Sequence, residues 1–301
     1  MSDAIQHDRE PPASGVTVEL APGVRRLIAP NPSPYTFTGT CSYILGAESL
    51  AVIDPGPDDP AHRSALIAAI GGRPVSAILV THTHRDHSPG ARPLAAVTGA
   101  PIFGAGPHRF ARPPRADETA GIDASADQGF APDHVLRDGD RVAVDGLTLT
   151  AIETPGHCAN HLAFALDAGG VFSGDHVMAW STSIVAPPDG SVSAYMASLD
   201  RIAALSPDIL WPGHGGPVRE PQRYIRALAH HRRMREQSIL DSLVRGAERI
   251  PDIVAQVYAG LDPRLVSAAS LNTLAHLEDL CARRLVASEG DLGLRDRFRR
   301  L

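Results

Sequence analysis

Apolar residues fall in short runs through the first two thirds of the chain and at helical spacing through the last third. Runs at 16–20, 24–29, 41–45, 49–53, 75–80 and 101–103 have the length of strands, with Pro22-Gly23 as a turn between the first two. Residues 59–70 read as a helix with Leu66, Ile67 and Ile70 on one side and Gly71-Gly72 as its stop, and 91–97 as a second, shorter one. An irregular stretch over 104–132 precedes strands expected within 133–144 and 147–153, around turns at Asp138-Gly139 and Asp145-Gly146. Further strands are expected at 161–166, 170–173 and 208–210, and a helix over 193–205. Beyond Pro217 the spacing predicts one long helix over 221–246, with Tyr224, Leu228, Met234, Leu240 and Leu243 near helical period, then helical segments over 251–259 and 263–285 and a tail. Leu271, Leu274, Leu277 and Leu280 form a stripe that reads as core. The alternation of strands and helices is that of an α/β protein, with a division into residues 1–218 and a helical segment of residues 219–301.

The densest chemistry follows the buried run at 75–80: Thr81-His82-Thr83-His84-Arg85-Asp86-His87. In an extended tail, residues two apart point the same way, so His82 and His84 can grip one metal ion. Asp86 and His87 fall where the chain turns and face a second point. Imidazole with carboxylate suits Zn²⁺, and also Mn²⁺ or Fe²⁺, better than Ca²⁺ or Mg²⁺.

Composition narrows the class. A chain of 301 residues with 43% hydrophobic and 21% charged residues is ordinary for a soluble protein and long enough for one large domain and a small appendage. All 28 basic residues are arginine, which excludes Schiff-base chemistry on a lysine. The net charge of −6 gives no overall attraction to nucleic acid, although residues 219–301 hold 15 Arg against 11 Asp plus Glu. Cys41, Cys158 and Cys281 form no pairing pattern. No run approaches membrane-spanning length, and residues 1–15 carry no apolar core segment of a secretory signal, so a cytoplasmic location is expected.

His-x-His-x-Asp-His after a strand resembles the signature of the metallo-β-lactamase superfamily. The resemblance continues in order through Thr154-Pro155-Gly156-His157, Ser173-Gly174-Asp175 and Trp211-Pro212-Gly213-His214. It implies a four-layer αββα sandwich. The C-terminal segment resembles the small winged-helix-like appendage of the branch that includes β-lactamase-like endoribonucleases and related bacterial hydrolases. The resemblance further implies that His82, His84 and His157 bind one ion, Asp86, His87 and His214 a second, and Asp175 both. Asp54, which the residues alone leave open between a turn or cap and a brace, is implied as a brace for the metal loop, and His161 as a supporting rather than a ligating histidine. His176 should point away and Cys158 should pack. In the superfamily, insertions near 104–132 overhang the site, so Arg109, Arg112 and Arg115 are expected on one cleft wall, and Trp180 on another.

The implied activity is hydrolysis by a hydroxide held between two divalent ions, Zn²⁺ first, with Asp86 and Asp175 as the catalytic carboxylates. A small ester, thioester or lactone ranks level with single-stranded RNA as substrate. The branch favours RNA and the acidic catalytic part opposes it. The alternatives are a mononuclear iron dioxygenase of the same fold and a nucleic-acid-binding regulator with structural metals. For the C-terminal segment, packing or homodimer formation ranks ahead of nucleic-acid docking, because Glu278 and Asp279 would repel phosphate. No membrane partner is expected.

Overall fold

The protein is represented by a computed structural model that describes residues 7–8, 14–115, 118 and 125–301. The loose tail expected over residues 1–15 lies mostly outside the described residues, as does part of the irregular 104–132 stretch.

Two sheets face each other. The first runs in the order β1 (Val18–Ala21), β2 (Val24–Ile28), β3 (Cys41–Leu45), β4 (Leu50–Ile53), β5 (Val75–Leu79), β6 (Ile102–Gly104), β7 (His134–Val135). It is antiparallel up to β4 and parallel beyond. The second takes β12 (Ile209–Pro212), β11 (Gly170–Gly174), β10 (Leu162–Leu166), β9 (Leu147–Glu153) and β8 (Arg141–Val144) in that order. Alternation along each strand builds the layers, since successive side chains take opposite faces. From the first sheet, Tyr43, Ile53 and Leu79 point into the shared interior, where they meet Leu162, Phe164, Phe172 and Trp211 of the second. On the other face, Ile44, Val52 and Ile78 pack under helices α1 (Pro60–Ile70) and α2 (Ala91–Thr98) through Leu66, Ile70 and Leu94. The outer face of the second sheet, with Ala163, Val171 and Leu210, is covered by Tyr195, Leu199 and Ile202 of α3 (Val192–Ala204). The result is the expected αββα sandwich.

The 133–144 stretch does not stay in one sheet. Its first part, β7, extends the first sheet, and after the Gly139 turn (φ +83°) β8 joins the second, so the chain crosses the sandwich there.

Helix α4 (Pro221–Val244) belongs to two cores. Ile225 and Leu228 pack with the outer face of the second sheet, whereas Ile239, Leu240 and Leu243 pack with α5 (Ile250–Val257) and α6 (Val266–Ala282). Met234, expected on the buried stripe, is 51% exposed, because the helix changes partners at its middle. Leu274, Leu277 and Leu280 are fully buried, but Leu271 only half so. The helix expected over 263–285 begins as a 3₁₀ turn, Pro263–Leu265, capped by the Asp262 side chain. The expected tail is instead a hairpin, β13 (Val286–Ser288) with β14 (Phe298–Arg300), and Phe298 closes the second core. Three-residue strands carry too little alternation to be read from sequence.

Candidate metal centre

The site lies where strands of both sheets end. The His82–His87 loop leaves β5, the turn bearing His157 leaves β9, Asp175 follows β11 and His214 follows β12. Backbone hydrogen bonds tie these ends together: Leu162 N to Thr81 O at 2.7 Å, Gly213 N to Gly174 O at 2.8 Å and Cys41 N to Gly213 O at 2.7 Å. Gly213 allows the closest approach. A Cβ there would stand 2.3 Å from Asp175 Oδ1 and 2.7 Å from His87 Cε1.

The seven residues implied as ligands come together. Donor atoms of His82, His84 and His157 lie within 4.8 Å of one another, as do those of Asp86, His87 and His214, and those of His82, His87 and Asp175. Within the first cluster, His84 Nδ1 stands 3.0 Å from His82 Nε2 and 2.9 Å from His157 Nε2. In the second, His87 Nε2 is 3.4 Å from His214 Nε2, and Asp86 Oδ2 is 3.3 and 3.2 Å from those nitrogens. Asp175 reaches both groups, with Oδ2 at 3.7 Å from His157 Nε2 and 3.2 Å from His214 Nε2, and Oδ1 at 3.5 Å from His87 Nε2.

Hydrogen bonds on the outer side of each ring decide where its lone pair points. His157 Nδ1 donates to the Ile184 carbonyl at 2.6 Å, and His84 Nε2 to Asp189 Oδ2 at 3.2 Å. The Thr81 hydroxyl donates to Asp54 Oδ2 at 2.6 Å, so at 3.0 Å from His82 Nδ1 it can only accept. Each ring nitrogen facing the cluster is therefore an acceptor. Three lone pairs converge on one point with no proton among them. In the second cluster His87 Nδ1 donates to Asp54 Oδ2 at 2.9 Å and His214 Nδ1 to the Gly39 carbonyl at 3.2 Å, which leaves Nε2 of each ring turned towards the cluster. Asp175 Oδ1 is buried without a hydrogen-bond partner among the described residues. Converging lone pairs and an orphaned carboxylate oxygen are what divalent cations satisfy, so the donor set fits two ions.

The clusters differ electrostatically. Burial first, and His84 next, push His157 down to about 4, while burial and the neighbouring histidines hold His82 well below its usual range. For His214, burial is outweighed by the Asp175 and Asp86 carboxylates, which push it up to about 10. Burial likewise resists ionisation of Asp86 and Asp175, yet the facing histidines hold both carboxyls well below the ordinary range. An ion entering the histidine-only cluster meets His82 and His157 rings that burial keeps neutral. One entering the second must displace a proton.

Access is one-sided. His87 and His214 are buried, whereas the side chains of His84 and Asp86 keep 15% and 27% of their surface, which marks the open face. Asp54 sits in the left-handed region at φ +48°. That conformation turns its carboxylate back to accept from Thr81 N at 2.7 Å as well as from Thr81 Oγ1 and His87 Nδ1. It thus braces both clusters at once. His161 belongs to none of the three donor clusters among the described residues. Its Nε2 accepts from Asp175 N at 3.2 Å while Nδ1 faces Thr154 Oγ1 at 2.8 Å, so it holds the backbone of the shared carboxylate. His176 points away, its ring 4.4 Å from that of Tyr195. Cys158 is buried, with its thiol 3.0 Å from Asn160 Oδ1 and pushed up to about 12, first by burial.

The expected cleft wall needs correction. Arg112 and Arg115 do not present free guanidiniums to the site. Arg112 makes bonds of 2.7 and 2.6 Å to Glu118 and 2.8 Å to Glu278 of α6, and Arg115 lies 3.0 Å from the same Glu278. Two carboxylates consume both cations. Glu278 is thereby an anchor for this loop. Arg109 remains beside the His157 turn, its Nε donating to the Ala159 carbonyl at 3.1 Å. Trp180 stacks on Phe37 with centroids 5.0 Å apart and packs against Gly215, making an apolar wall next to His214. Sequence reasoning missed Asp189, which accepts from His84 and, at 3.2 Å, from His108 Nε2. It also missed Thr40, whose hydroxyl donates to Asp86 at 2.8 Å. Asp189 is 105 residues from His84, and an Asp-Gly pair in a loop signals only a turn.

Two sheets enclosing such a centre at their strand ends define a metallo-hydrolase of the β-lactamase type, and direct comparison agrees. Residues 34–214 match the family described as the Metallo-beta-lactamase superfamily, and residues 250–296 the Beta-lactamase associated winged helix domain. The chain belongs to this superfamily and is a metal-dependent hydrolase with its C-terminal winged-helix domain. The Beta-lactamase-like protein 2 homolog of Drosophila melanogaster is 30% identical over 272 residues, covering 87% of this chain and 88% of that one. The atrochrysone carboxyl ACP thioesterase of Aspergillus fumigatus is 29% identical over 231 residues, 74% of this chain and 66% of the relative. A crystal structure of a Beta-lactamase domain protein from Burkholderia ambifaria superposes with a TM-score of 0.80 at 26% identity, covering 96% of this chain and 95% of that one. No helix among the described residues is long and apolar enough to cross a membrane.

Proposed function

We propose that this protein hydrolyses a small ester, thioester or lactone at a two-metal centre, with Zn²⁺ as the first candidate ion and Mn²⁺ or Fe²⁺ as alternatives. The observation that carries this reading is the pair of lone-pair clusters joined by Asp175. When bound, two such ions supply activated water at neutral pH and offset negative charge developing on the substrate oxygen. The chain's own residues do the rest. Asp54, Asp189 and the Ile184 and Gly39 carbonyls fix the tautomers and aim the imidazoles. Trp180 and Phe37 exclude water on the His214 side. The complete set of histidines in both clusters favours two ions over the single iron of a dioxygenase.

An acyl substrate is favoured because Arg112 and Arg115, the cations a phosphate chain would need near the site, are neutralised by Glu118 and Glu278. The similarity to a thioesterase supports the same class. Single-stranded RNA is the second reading, supported by the exposed Arg284, Arg299 and Arg300 around the C-terminal hairpin. The deciding experiment combines metal content by plasma mass spectrometry with hydrolysis assays on thioesters, lactones and a short single-stranded RNA. Two ions per chain with turnover of acyl substrates alone is the expected result; RNA cleavage alone would overturn the acyl reading, and one iron with no hydrolysis the whole of it. Asp175→Ala should retain the fold and fall below about 1% of wild-type turnover.

A further inference from the structure

The segment between β11 and α3 brings the Ile184 carbonyl to within 2.6 Å of His157 Nδ1. What holds that carbonyl comes from the C-terminal part of the chain. On one side of it, the Ser183 carbonyl accepts from Arg232 Nη2 of α4. On the other, Val185 N donates to Asn272 Oδ1 of α6 at 3.4 Å. The two are linked, since Arg232 Nη1 donates to the same Asn272 Oδ1 at 2.9 Å. Each is fixed in turn. The Arg232 guanidinium lies 4.7 Å over the buried Tyr195 ring, and Asn272 Nδ2 donates to the Tyr258 hydroxyl at 3.0 Å. Arg232 is only 3% exposed, an expensive place for a lone cation unless hydrogen bonds and a ring face compensate it.

We propose that Arg232 and Asn272 are positioning residues through which the C-terminal domain sets the metal affinity of the histidine-only cluster. They clamp the residues before and after Ile184, so its carbonyl keeps the His157 ring in one orientation and one tautomer. Among the described residues, no hydrogen bond from the C-terminal domain reaches the outer partners of the second cluster directly. Those partners, Asp54, Gly39 and Thr40, all belong to the first sheet and its loops. Loss of the clamp therefore weakens one ion and spares the other. Loss of an outer hydrogen-bond partner of a metal-bound histidine typically costs about 10–100-fold in affinity, which sets the size expected here. The inference rests on the two-ion centre proposed above.

The test uses full-length apoprotein titrated with Zn²⁺ against a chromophoric chelator and, separately, with Co²⁺ followed by its visible spectrum. Arg232→Met and Asn272→Ala should each weaken one of the two ions by about 10–100-fold and leave the other unchanged. Asp86→Ala, which removes a ligand of the second cluster alone, provides the reference spectrum for the ion that stays. Asn272→Asp keeps the acceptor oxygen and should restore most of the affinity. Glu278→Gln loosens a different contact between the same domains, to Arg112 and Arg115, and should change neither ion. Circular dichroism of the apoproteins checks the fold, and Asn272→Ala carries the test should Arg232→Met fail to fold. Two ions bound as in wild type by Asn272→Ala, or an equal loss in Glu278→Gln, overturns the clamp while leaving the centre standing. Fewer than two ions in the wild type overturns the centre and the clamp with it.

Discussion

At the scale of single residues, the molecule puts polar groups under cover for two different reasons. Asp54 is buried in a backbone conformation uncommon for a residue with a side chain, and three hydrogen bonds to the metal loop compensate it. His276 is buried with neither ring nitrogen partnered among the described residues, and nothing in the site calls on it. Burial first, then the Arg232 and Arg235 guanidiniums, push it down to about 3. The unfolded chain protonates this histidine near 6.5 and the folded one does not, so between those values the unfolded state binds more protons. Its contribution to stability is intact above pH 6.5 and lost as pH falls from there towards 3. By pH 5 the loss is on the order of 2 kcal/mol. His276→Leu should therefore flatten the fall in thermal midpoint between pH 7 and pH 5; an unchanged slope would show that His276 finds a partner in solution.

At the scale of elements, strand ends matter more than strand interiors. The run at 75–80 was legible as a buried strand and the histidines after it as ligands, because the two-residue period fixes which side chains share a face. The arrival of β11 and β12 at the same place was not legible from those runs, since their Gly174 and Gly213 serve contacts with other strands. Gly213→Ala is the sharpest probe of that convergence. Its Cβ would overlap Asp175 Oδ1 and His87 Cε1, so the variant should fold with its β content retained but bind less than one ion in the second cluster. Full metal content in that variant would mean that the β12 end can move away from Asp175. The hairpin β13–β14 and the fate of Arg112 and Arg115 were equally hidden. Short strands lack a period, and a sequence does not show that Glu278, more than 160 residues away, meets those arginines.

At the scale of the whole molecule, three segments around the centre touch the C-terminal domain. The Arg112–Arg115 stretch meets Glu278, residues 183–185 meet Arg232 and Asn272, and Tyr35 donates to the Arg264 carbonyl at 3.3 Å. Helix α4 runs through both cores, so the two parts share packing as well as polar contacts. Metal binding and global stability should be linked as a result. At a free ion concentration a thousandfold above Kd, binding contributes about 4 kcal/mol, on the order of 10 °C in thermal midpoint for a chain of this size. Dialysis against a chelator should lower the midpoint by that amount and added Zn²⁺ should restore it. A midpoint indifferent to metal would show that the lone-pair clusters are relieved by other means.

By itself the sequence determined the strands, the helices and the grouping of His82 with His84 and of Asp86 with His87, because period, turn chemistry and donor spacing act over a few residues and survive without coordinates. The sandwich and the convergence of seven ligands were legible only through the resemblance of four ordered motifs to the superfamily. Only the tertiary structure decided which nitrogen of each histidine faces the cluster, which arginines are already neutralised, and how Arg232 and Asn272 reach a metal ligand. Those are matters of distance between segments far apart in the chain, and a hydrogen bond leaves no mark in the local pattern of either partner.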